Sequence, residues 1–188
     1  MKYILASASE RRQELLKRII ENFDIIVSNF DEELVKFDND VEKYVLSIAE
    51  GKALSILNSV NEESIIIAAD TIVVSNNKIL GKPKDEKDAY NMLKSLSGKK
   101  HRVYSAVIVV NSNTKEMKKE CIYTEVEFDE LTDDEILRYI ATKEPMDKAG
   151  AYGIQGFGGV FVKGINGCYY NVVGLPLNLL NKMLREIT

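Results

Sequence analysis

Residues 3–12 read Tyr3-Ile4-Leu5-Ala6-Ser7-Ala8-Ser9-Glu10-Arg11-Arg12, an apolar run of strand type followed at once by a helical pattern. A helix that begins near Glu10, with Ser9 as its N-cap, directs unpaired backbone N–H groups and the positive end of its dipole beyond the strand. Two guanidinium groups follow, and their planar donors match two phosphate oxygens at once. The segment therefore predicts a phosphate site, although a surface helix that Ser9 merely caps would show the same pattern.

The composition is that of a chain able to form its own core. It has 188 residues, 45% of them hydrophobic, which suffices for one core without metal or disulfide staples. Its net charge of −4 comes from interspersed charges, so we expect no nucleic-acid surface. Cys121 and Cys168 lack a second cysteine at metal-binding spacing and no secretory segment precedes the first strand, so we expect reduced thiols and a cytoplasmic protein. No apolar run approaches the length of a membrane span.

The predicted strands and helices alternate in type along the chain, without a linker, a repeat or a low-complexity segment. We expect strands at residues 3–6, 23–27, 65–69, 72–74, 78–80, 102–110 and 118–128, and a strand pair across 160–173. We expect helices at residues 10–20, 41–57, 85–96 and 132–140, and a last one that Pro176 opens.

Two charged residues stand where apolar ones are expected. Asp70 directly follows the apolar run 65–69, and an unpaired buried carboxylate is costly, so it should meet a metal ion, a cation or several hydrogen-bond donors. A structural salt bridge would satisfy it equally well. Lys52 lies four residues after Ile48, on nearly the same helix face, where most lysines extend past the edge of the core.

Three further segments carry residues that are typical of binding or catalytic sites. Residues 147–159 contain five glycines, which permit close approach of the backbone to a ligand, although structural turns explain many such loops. Residues 97–100 resemble a P-loop only superficially, because the upstream glycine and the following Ser or Thr are missing, so a Walker-type ATPase is excluded. His101 has no acidic partner at readable spacing, so we expect a satisfied or exposed side chain rather than a catalyst.

Taken together, these segments resemble the Maf family of nucleoside triphosphate pyrophosphatases along nearly the whole chain. The matching stretches are residues 5–12, 31–32, 52–53, 69–71, 81–83, 147–156 and 173–177. The resemblance implies one Maf-like domain over residues 1–188, with two lobes around a deep cleft. It implies an α/β fold in which a mixed twisted sheet carries helices on both faces, similar to inosine triphosphate pyrophosphatases. It also implies a homodimer and a divalent metal cation, Mg²⁺ or Mn²⁺.

Three positions resemble the branch of the family that prefers dTTP and UTP, namely Arg11, Thr71 and the glutamine Gln155. The sibling branch, which prefers 7-methyl-GTP, has a tryptophan before a remaining arginine, a glutamine after the aspartate and a glutamate near the position of Gln155. Glu10 departs from the family, which usually has proline there. Its negative charge interacts favourably with the helix dipole but is expected to weaken phosphate binding slightly.

The chemistry that the resemblance implies is cleavage between the α and β phosphates, and it assigns roles to the unusual residues. We expect Asp70 to bind Mg²⁺ or Mn²⁺ and to accept the proton of the attacking water, with Glu32 as a second acid and metal ligand. The phosphates would be bound by hydroxyl and cationic side chains, namely Ser7, Ser9, Arg11, Arg12, Lys52 and Lys82. The two lysines are also expected to be catalytic residues. The base or sugar would be read by Thr71 and Gln155.

Two other classes of function compete with a hydrolase. A nucleotide-binding regulator of septum formation and cell division, without significant turnover, would share this pocket. The presence of both Asp70 and Glu32 favours catalysis, because a pure binder of an anionic ligand has less need of two acids. Nucleic-acid binding lacks a basic face and stacking aromatics. A 7-methyl-GTP pyrophosphatase is the alternative within the family.

Overall fold

The computed structural model describes residues 1–187, which form a mixed α/β fold. Its strands are β1 (Lys2–Leu5), β2 (Asp24–Ile25), β3 (Ser64–Ser75), β4 (Lys78–Leu80), β5 (Lys100–Asn111), β6 (Met117–Phe128) and β7 (Val162–Asn166). Its helices are α1 (Glu10–Leu16), α2 (Val41–Leu57), α3 (Glu86–Leu96), α4 (Asp133–Ala141), α5 (Tyr169–Val173) and α6 (Leu177–Ile187). Within the described range, no helix combines the length and the hydropathy that crossing a membrane requires.

The strands form one sheet in the order β2-β1-β3-β5-β6-β7, and β4 pairs with β3 at the side. β1 runs parallel to both of its neighbours, with Ile4 opposite Asp24 on one side and opposite Ile66 on the other. β4 is antiparallel to β3, and β7 is antiparallel to β6. The mixed sheet expected from the resemblance is therefore confirmed, and the deep cleft stays a prediction.

The chain divides into two compact units, and the three long strands contribute to both. The first unit contains residues 1–70 and 105–122 and the chain from Gly174 onward. Its core is aliphatic, because the run 65–69 of β3 is completely buried, as a strand covered on both faces should be. The other fully buried side chains of this unit include Leu15, Leu16, Val45, Ala49, Ala53 and Leu180.

The second unit contains residues 71–104 and 123–173. Its core is richer in aromatic rings, with Phe128 in edge-on contact with His101, Tyr152 and Phe161. Such edge-to-face contacts suit the quadrupoles of the rings. His101 is only 3% exposed and its Nε2 lies 2.8 Å from the Tyr152 hydroxyl, so it is a core residue, but among the described residues its buried Nδ1 has no hydrogen-bond partner.

Most element boundaries agree with the sequence, and the differences are local. α2 has the predicted bounds, with Asp40 as its cap. The predicted break at Asp70 is wrong, since β3 continues through that residue to Ser75. α1 ends at Leu16 rather than near Ile20, although bonds between backbone groups continue the turn as far as Ile20.

The predicted strand pair across residues 160–173 is also wrong in its second half, where the chain forms α5. Gly167 has a φ of +131°, which turns the chain after β7. The buried side chain of Asn171 then donates to the Val103 carbonyl at 2.9 Å and to Thr124 Oγ1 at 3.0 Å. These long-range bonds hold a short helix where the local apolar pattern favours a strand.

Candidate active site

The turn after β1 is organised by Ser7 and Arg12. Ser7 is 8% exposed, and its hydroxyl oxygen accepts the Ser9 N–H at 3.2 Å and Arg12 Nη1 at 3.4 Å. Arg12 Nε donates to the Gly174 carbonyl at 2.9 Å. The stretch 173–177 that the resemblance singled out thus supplies an acceptor that fixes a guanidinium next to the predicted phosphate turn.

Ser9 takes the N-cap position of α1, as predicted, but its side chain makes no capping hydrogen bond. Its neighbour Arg11 is half-buried. Burial lowers the pKa of Arg12 and the positive charge of Arg11 lowers it further, whereas Asp70 and Glu32 oppose the shift. Two cations and two acids of this unit therefore act on one another electrostatically.

The most unusual feature of the first unit is a lysine held between two carboxylates. Lys52 Nζ lies 2.7 Å from Asp70 Oδ1 and 2.7 Å from Glu32 Oε1. The side chains of Lys52 and Asp70 are 14% and 11% exposed, while that of Glu32 is 55% exposed. We call these three residues the acid–lysine cluster. Sequence reasoning identified each member and expected Asp70 and Glu32 to share a metal ion, but it did not predict that Lys52 lies between them.

Three elements bring the cluster together. α2 carries Lys52, β3 carries Asp70, and a 3₁₀ turn at Glu32–Leu34 carries Glu32. Gly51 permits the approach of the loop before that turn, because a Cβ at this position would overlap the ring of Phe30. The glycine beside Lys52 therefore has a packing role that the sequence pattern did not reveal.

Burial is the largest influence on the Asp70 carboxyl and raises its pKa above the ordinary value. The charges of Lys52 and Arg12 oppose this shift, and that of Glu32 adds to it. A carboxylate raised in this way is a stronger proton acceptor than a solvated one. Perturbed acids of this kind cluster at functional sites, which makes Asp70 the leading candidate for a catalytic group.

Tyr44 is a neighbour of the cluster that sequence reasoning missed. It precedes Lys52 by eight residues in α2, so the two lie on nearly the same helix face. Burial raises the pKa of Tyr44, and the charges of Asp70 and Glu32 raise it further. The four-residue spacing Tyr44, Ile48, Lys52 was the signal that could have found it.

The donor set of the cluster fits a hard divalent cation only in part. Asp70 and Glu32 offer carboxylate oxygens, which Mg²⁺ and Mn²⁺ prefer. Within residues 1–187 there is no group of three or more His, Cys, Asp or Glu side chains that could enclose a metal ion. The two acids therefore suit an ion that takes its remaining ligands from phosphate and water, as Mg²⁺ does in many phosphate-binding sites.

The remaining predicted residues, Thr71, Lys82 and Gln155, belong to the second unit. Thr71 is half-buried in β3, and Lys82 and Gln155 are exposed. The turn that carries Lys82 is tied to the glycine-rich segment, because the Gly150 N–H donates to the Gly81 carbonyl at 3.1 Å. Two stretches of the resemblance, 81–83 and 147–156, are thus in direct contact.

The glycine-rich segment is built around Tyr139 and Glu144 rather than around an open loop. Glu144 accepts hydrogen bonds from the backbone N–H groups of Phe157 and Gly158. Sequence reasoning overlooked Glu144, whose position before Pro145 gives no chemical signal.

Comparison with known proteins adds a family and a fold. A family model described as "Maf-like protein" matches residues 2–187. The dTTP/UTP pyrophosphatase of Clostridium beijerinckii is 62% identical over 187 residues, covering 100% of both chains. A protein of the same name from Clostridium novyi is 59% identical, covering 100% of this chain and 98% of its own. Among solved structures, the Staphylococcus aureus Ham1 protein matches with a TM-score of 0.53 and 15% identity over 99% of each chain, a likeness of fold.

Proposed function

We infer, because this chain belongs to the Maf family, that it is a nucleoside triphosphate pyrophosphatase that hydrolyses dTTP and UTP to the monophosphate and pyrophosphate. The observation that carries the inference is the 62% identity, over the full length of both chains, to a relative named dTTP/UTP pyrophosphatase. Arg11, Thr71 and Gln155 are the residues that the sequence associates with this substrate preference.

The acid–lysine cluster is the proposed reaction centre. Asp70 accepts the proton of the attacking water, a role that its buried carboxylate and raised pKa support. Asp70 and Glu32 would together hold a Mg²⁺ or Mn²⁺ ion, which neutralises charge on the phosphate oxygens when bound. Lys52 holds the two acids close to each other, since its ammonium lies 2.7 Å from each, and its charge opposes the rise in the pKa of Asp70.

The phosphates are held by the turn after β1. Arg12 is fixed at both ends of its guanidinium by Gly174 and Ser7, so little rotamer freedom is lost when an anion binds. Arg11 and the hydroxyl of Ser9, which makes no capping bond, complete this part of the proposal. The exposed ammonium of Lys82 is a further phosphate ligand, as the resemblance implies.

Thr71 and Gln155 are the proposed readers of the nucleoside, Gln155 through an amide that both donates and accepts hydrogen bonds. We also propose a cytoplasmic homodimer. Both cysteines are free thiols in the structure, which is consistent with a reducing compartment.

The test is a substrate panel. Purified protein with Mg²⁺ or Mn²⁺ is incubated with dTTP, UTP, CTP, GTP and 7-methyl-GTP, and monophosphate and pyrophosphate are measured. We expect products from dTTP and UTP, lost in Asp70→Asn and retained in Asp38→Asn, which changes an exposed acid paired with Lys43. Binding without products would instead support the regulator, and a preference for 7-methyl-GTP would overturn the branch assignment.

A further inference from the structure

A further carboxylate, that of Glu144, lies outside the acid–lysine cluster and has no role in the proposed reaction. Its Oε1 accepts the Tyr139 hydroxyl at 2.8 Å and the Gly158 N–H at 3.2 Å. Its Oε2 accepts the Phe157 N–H at 2.9 Å. With three donors on two oxygens, this carboxylate is bound by the protein itself and is not a free acid.

The donors that Glu144 collects lie on both sides of Gln155. Phe157 and Gly158 bind it directly, and the Gly153 N–H donates to the Tyr139 hydroxyl at 3.0 Å, which in turn donates to Glu144. One acid and one phenol therefore fix three backbone positions of the segment 153–158. Gln155, at the centre of that segment, is exposed.

The glycines of the segment make this arrangement possible. A Cβ at Gly156 would overlap the carboxylate of Glu144, and a Cβ at Gly158 would lie 2.7 Å from the Tyr139 hydroxyl. A Cβ at Gly153 would lie 2.6 Å from Cε of Lys148. A side chain at these positions would require Glu144, Tyr139 or Lys148 to shift, which explains the glycine content without a ligand at the glycines themselves.

Lys148 binds the backbone of the same residue, Glu144. Its side chain is 15% exposed, and Nζ donates to the Glu144 carbonyl at 2.8 Å and to Asp147 at 2.6 Å. Burial opposes the charge of Glu144, but its hydrogen bonds outweigh burial and lower the pKa of its carboxyl. The acid is thus held ionised at neutral pH, as a strong acceptor for peptide N–H groups.

We propose that Glu144 is the positioning residue for base recognition: with Tyr139 it fixes the segment 153–158 so that the Gln155 amide is presented in one orientation to the pyrimidine. This inference rests on the proposed function, in which Gln155 reads the base. An amide discriminates between uracil and cytosine only if its oxygen and nitrogen are held in fixed places, because the two bases exchange donor and acceptor at one edge.

The test compares UTP with CTP, which share sugar and phosphates and differ only in the base. For Glu144→Gln, which keeps the size but removes the charge and one acceptor, we expect KM for UTP to rise about tenfold. We expect the preference for UTP over CTP, as a ratio of kcat/KM, to fall by a similar factor, while kcat changes less. Tyr139→Phe, which removes one of the three donors to Glu144 and the acceptor of the Gly153 N–H, should change the preference in the same direction by less.

Two comparisons separate positioning from a general loss of structure. Glu135→Gln removes an acid that caps α4 and has no bond to the segment 153–158, so it should lower the melting temperature without changing the preference. In a double-mutant cycle with Gln155→Ala, Glu144→Gln should cause no further loss of preference, because both changes act through the same amide.

An unchanged UTP preference in Glu144→Gln, or independent effects of the two substitutions, would overturn the inference while leaving the proposed function intact. A preference that Gln155→Ala does not alter would overturn it as well. Failure of the wild-type chain to hydrolyse UTP would instead contradict the proposed function. If Glu144→Gln does not fold, the cycle of Tyr139→Phe with Gln155→Ala decides the matter by the same criteria.

Discussion

The two units bury polar groups in opposite ways. The first encloses opposite charges, Lys52 and Asp70, in side chains that are 14% and 11% exposed. The second pairs His101 with Tyr152 and keeps both neutral, since burial lowers the pKa of the histidine to about 4 and raises that of the tyrosine. Buried charge is costly compared with neutral pairing, so its presence indicates a place where charge is used.

Glu144 shows that charge alone does not identify a reaction centre. Both it and Asp70 are acids with perturbed pKa values, but the two shifts have opposite directions and causes. Burial raises the pKa of Asp70, whereas hydrogen bonds from the protein lower that of Glu144. An acid whose lone pairs are taken by peptide N–H groups orders the chain, whereas Asp70 is paired with the ammonium of Lys52 and is the acid proposed to act on water.

The largest effect on activity is expected from a substitution that neutralises Asp70. Asp70→Asn should lower kcat/KM for dTTP by about 1000-fold or more, because both the proton acceptor and a proposed metal ligand are lost. The fold should survive, since Lys52 keeps Glu32 as a partner at 2.7 Å and the amide oxygen still accepts a hydrogen bond. Steady-state kinetics and circular dichroism check the two expectations, and near-normal turnover would remove Asp70 from the mechanism.

Removing the lysine tests whether the cluster depends on its central cation. Lys52→Met should lower kcat/KM about 100-fold at neutral pH. Lys52 opposes the burial that raises the pKa of Asp70, so its loss raises that pKa further. Asp70 would then stay protonated up to a higher pH, and the acid limb of the pH–rate profile should move to higher pH.

The control for this substitution is Lys43→Met. Lys43 also lies in α2 and pairs with Asp38, but both side chains are more than half exposed. An exposed pair of this kind contributes little to stability and nothing to the cluster. A shift of the acid limb in both variants would mean that overall charge, and not the contact with Asp70, sets the profile.

The exposed acid of the cluster should matter less than the buried one. Glu32 is 55% exposed, so water can replace part of what its carboxylate supplies. For Glu32→Gln we expect kcat/KM to fall by about tenfold and the Mg²⁺ concentration for half-maximal rate to rise. The neighbouring substitution Glu33→Gln is the control. Equal losses in Glu32→Gln and Asp70→Asn would contradict the ranking by burial.

Local features of the fold could be predicted because local chemistry determines them. The Asn76-Asn77 turn has both residues at positive φ, as a tight hairpin requires, and Thr132 with Glu135 forms a capping box at the start of the predicted helix 132–140. The end of β7 was misjudged because α5 depends on Asn171, whose partners are 47 and 68 residues away. No periodicity in the sequence reports such contacts.

The candidate site shows the same division. Asp70 and Lys52 were each conspicuous as charges in apolar surroundings, and Asp70 was expected to need a partner. Their meeting depends on the packing of α2 beside β3, which spacing does not reveal. Glu144 could not be identified from the sequence, because an acid that binds peptide N–H groups differs from a surface glutamate only in the backbone that surrounds it.

The smallest expected effect is on stability, and it concerns the neutral buried pair of the second unit, His101 and Tyr152. His101 is buried among Phe128 and Tyr152, with a pKa of about 4 in the folded chain against 6.5 ordinarily. Between pH 4 and pH 6.5 the imidazole is protonated in the unfolded chain but neutral in the folded chain. The stability that the neutral ring contributes is therefore fully present above pH 6.5 and is lost as the pH falls toward 4.

We expect this histidine to account for a loss of about 2 kcal/mol of unfolding free energy between pH 7 and pH 5. His101→Gln, whose amide can still bond to Tyr152 but does not titrate, should be less stable than wild type at pH 7 and lose less on acidification. Urea unfolding at both pH values measures the difference. Parallel losses in the two chains would show that the second unit does not depend on a neutral histidine, and the contrast between the units would then rest on the acid–lysine cluster alone.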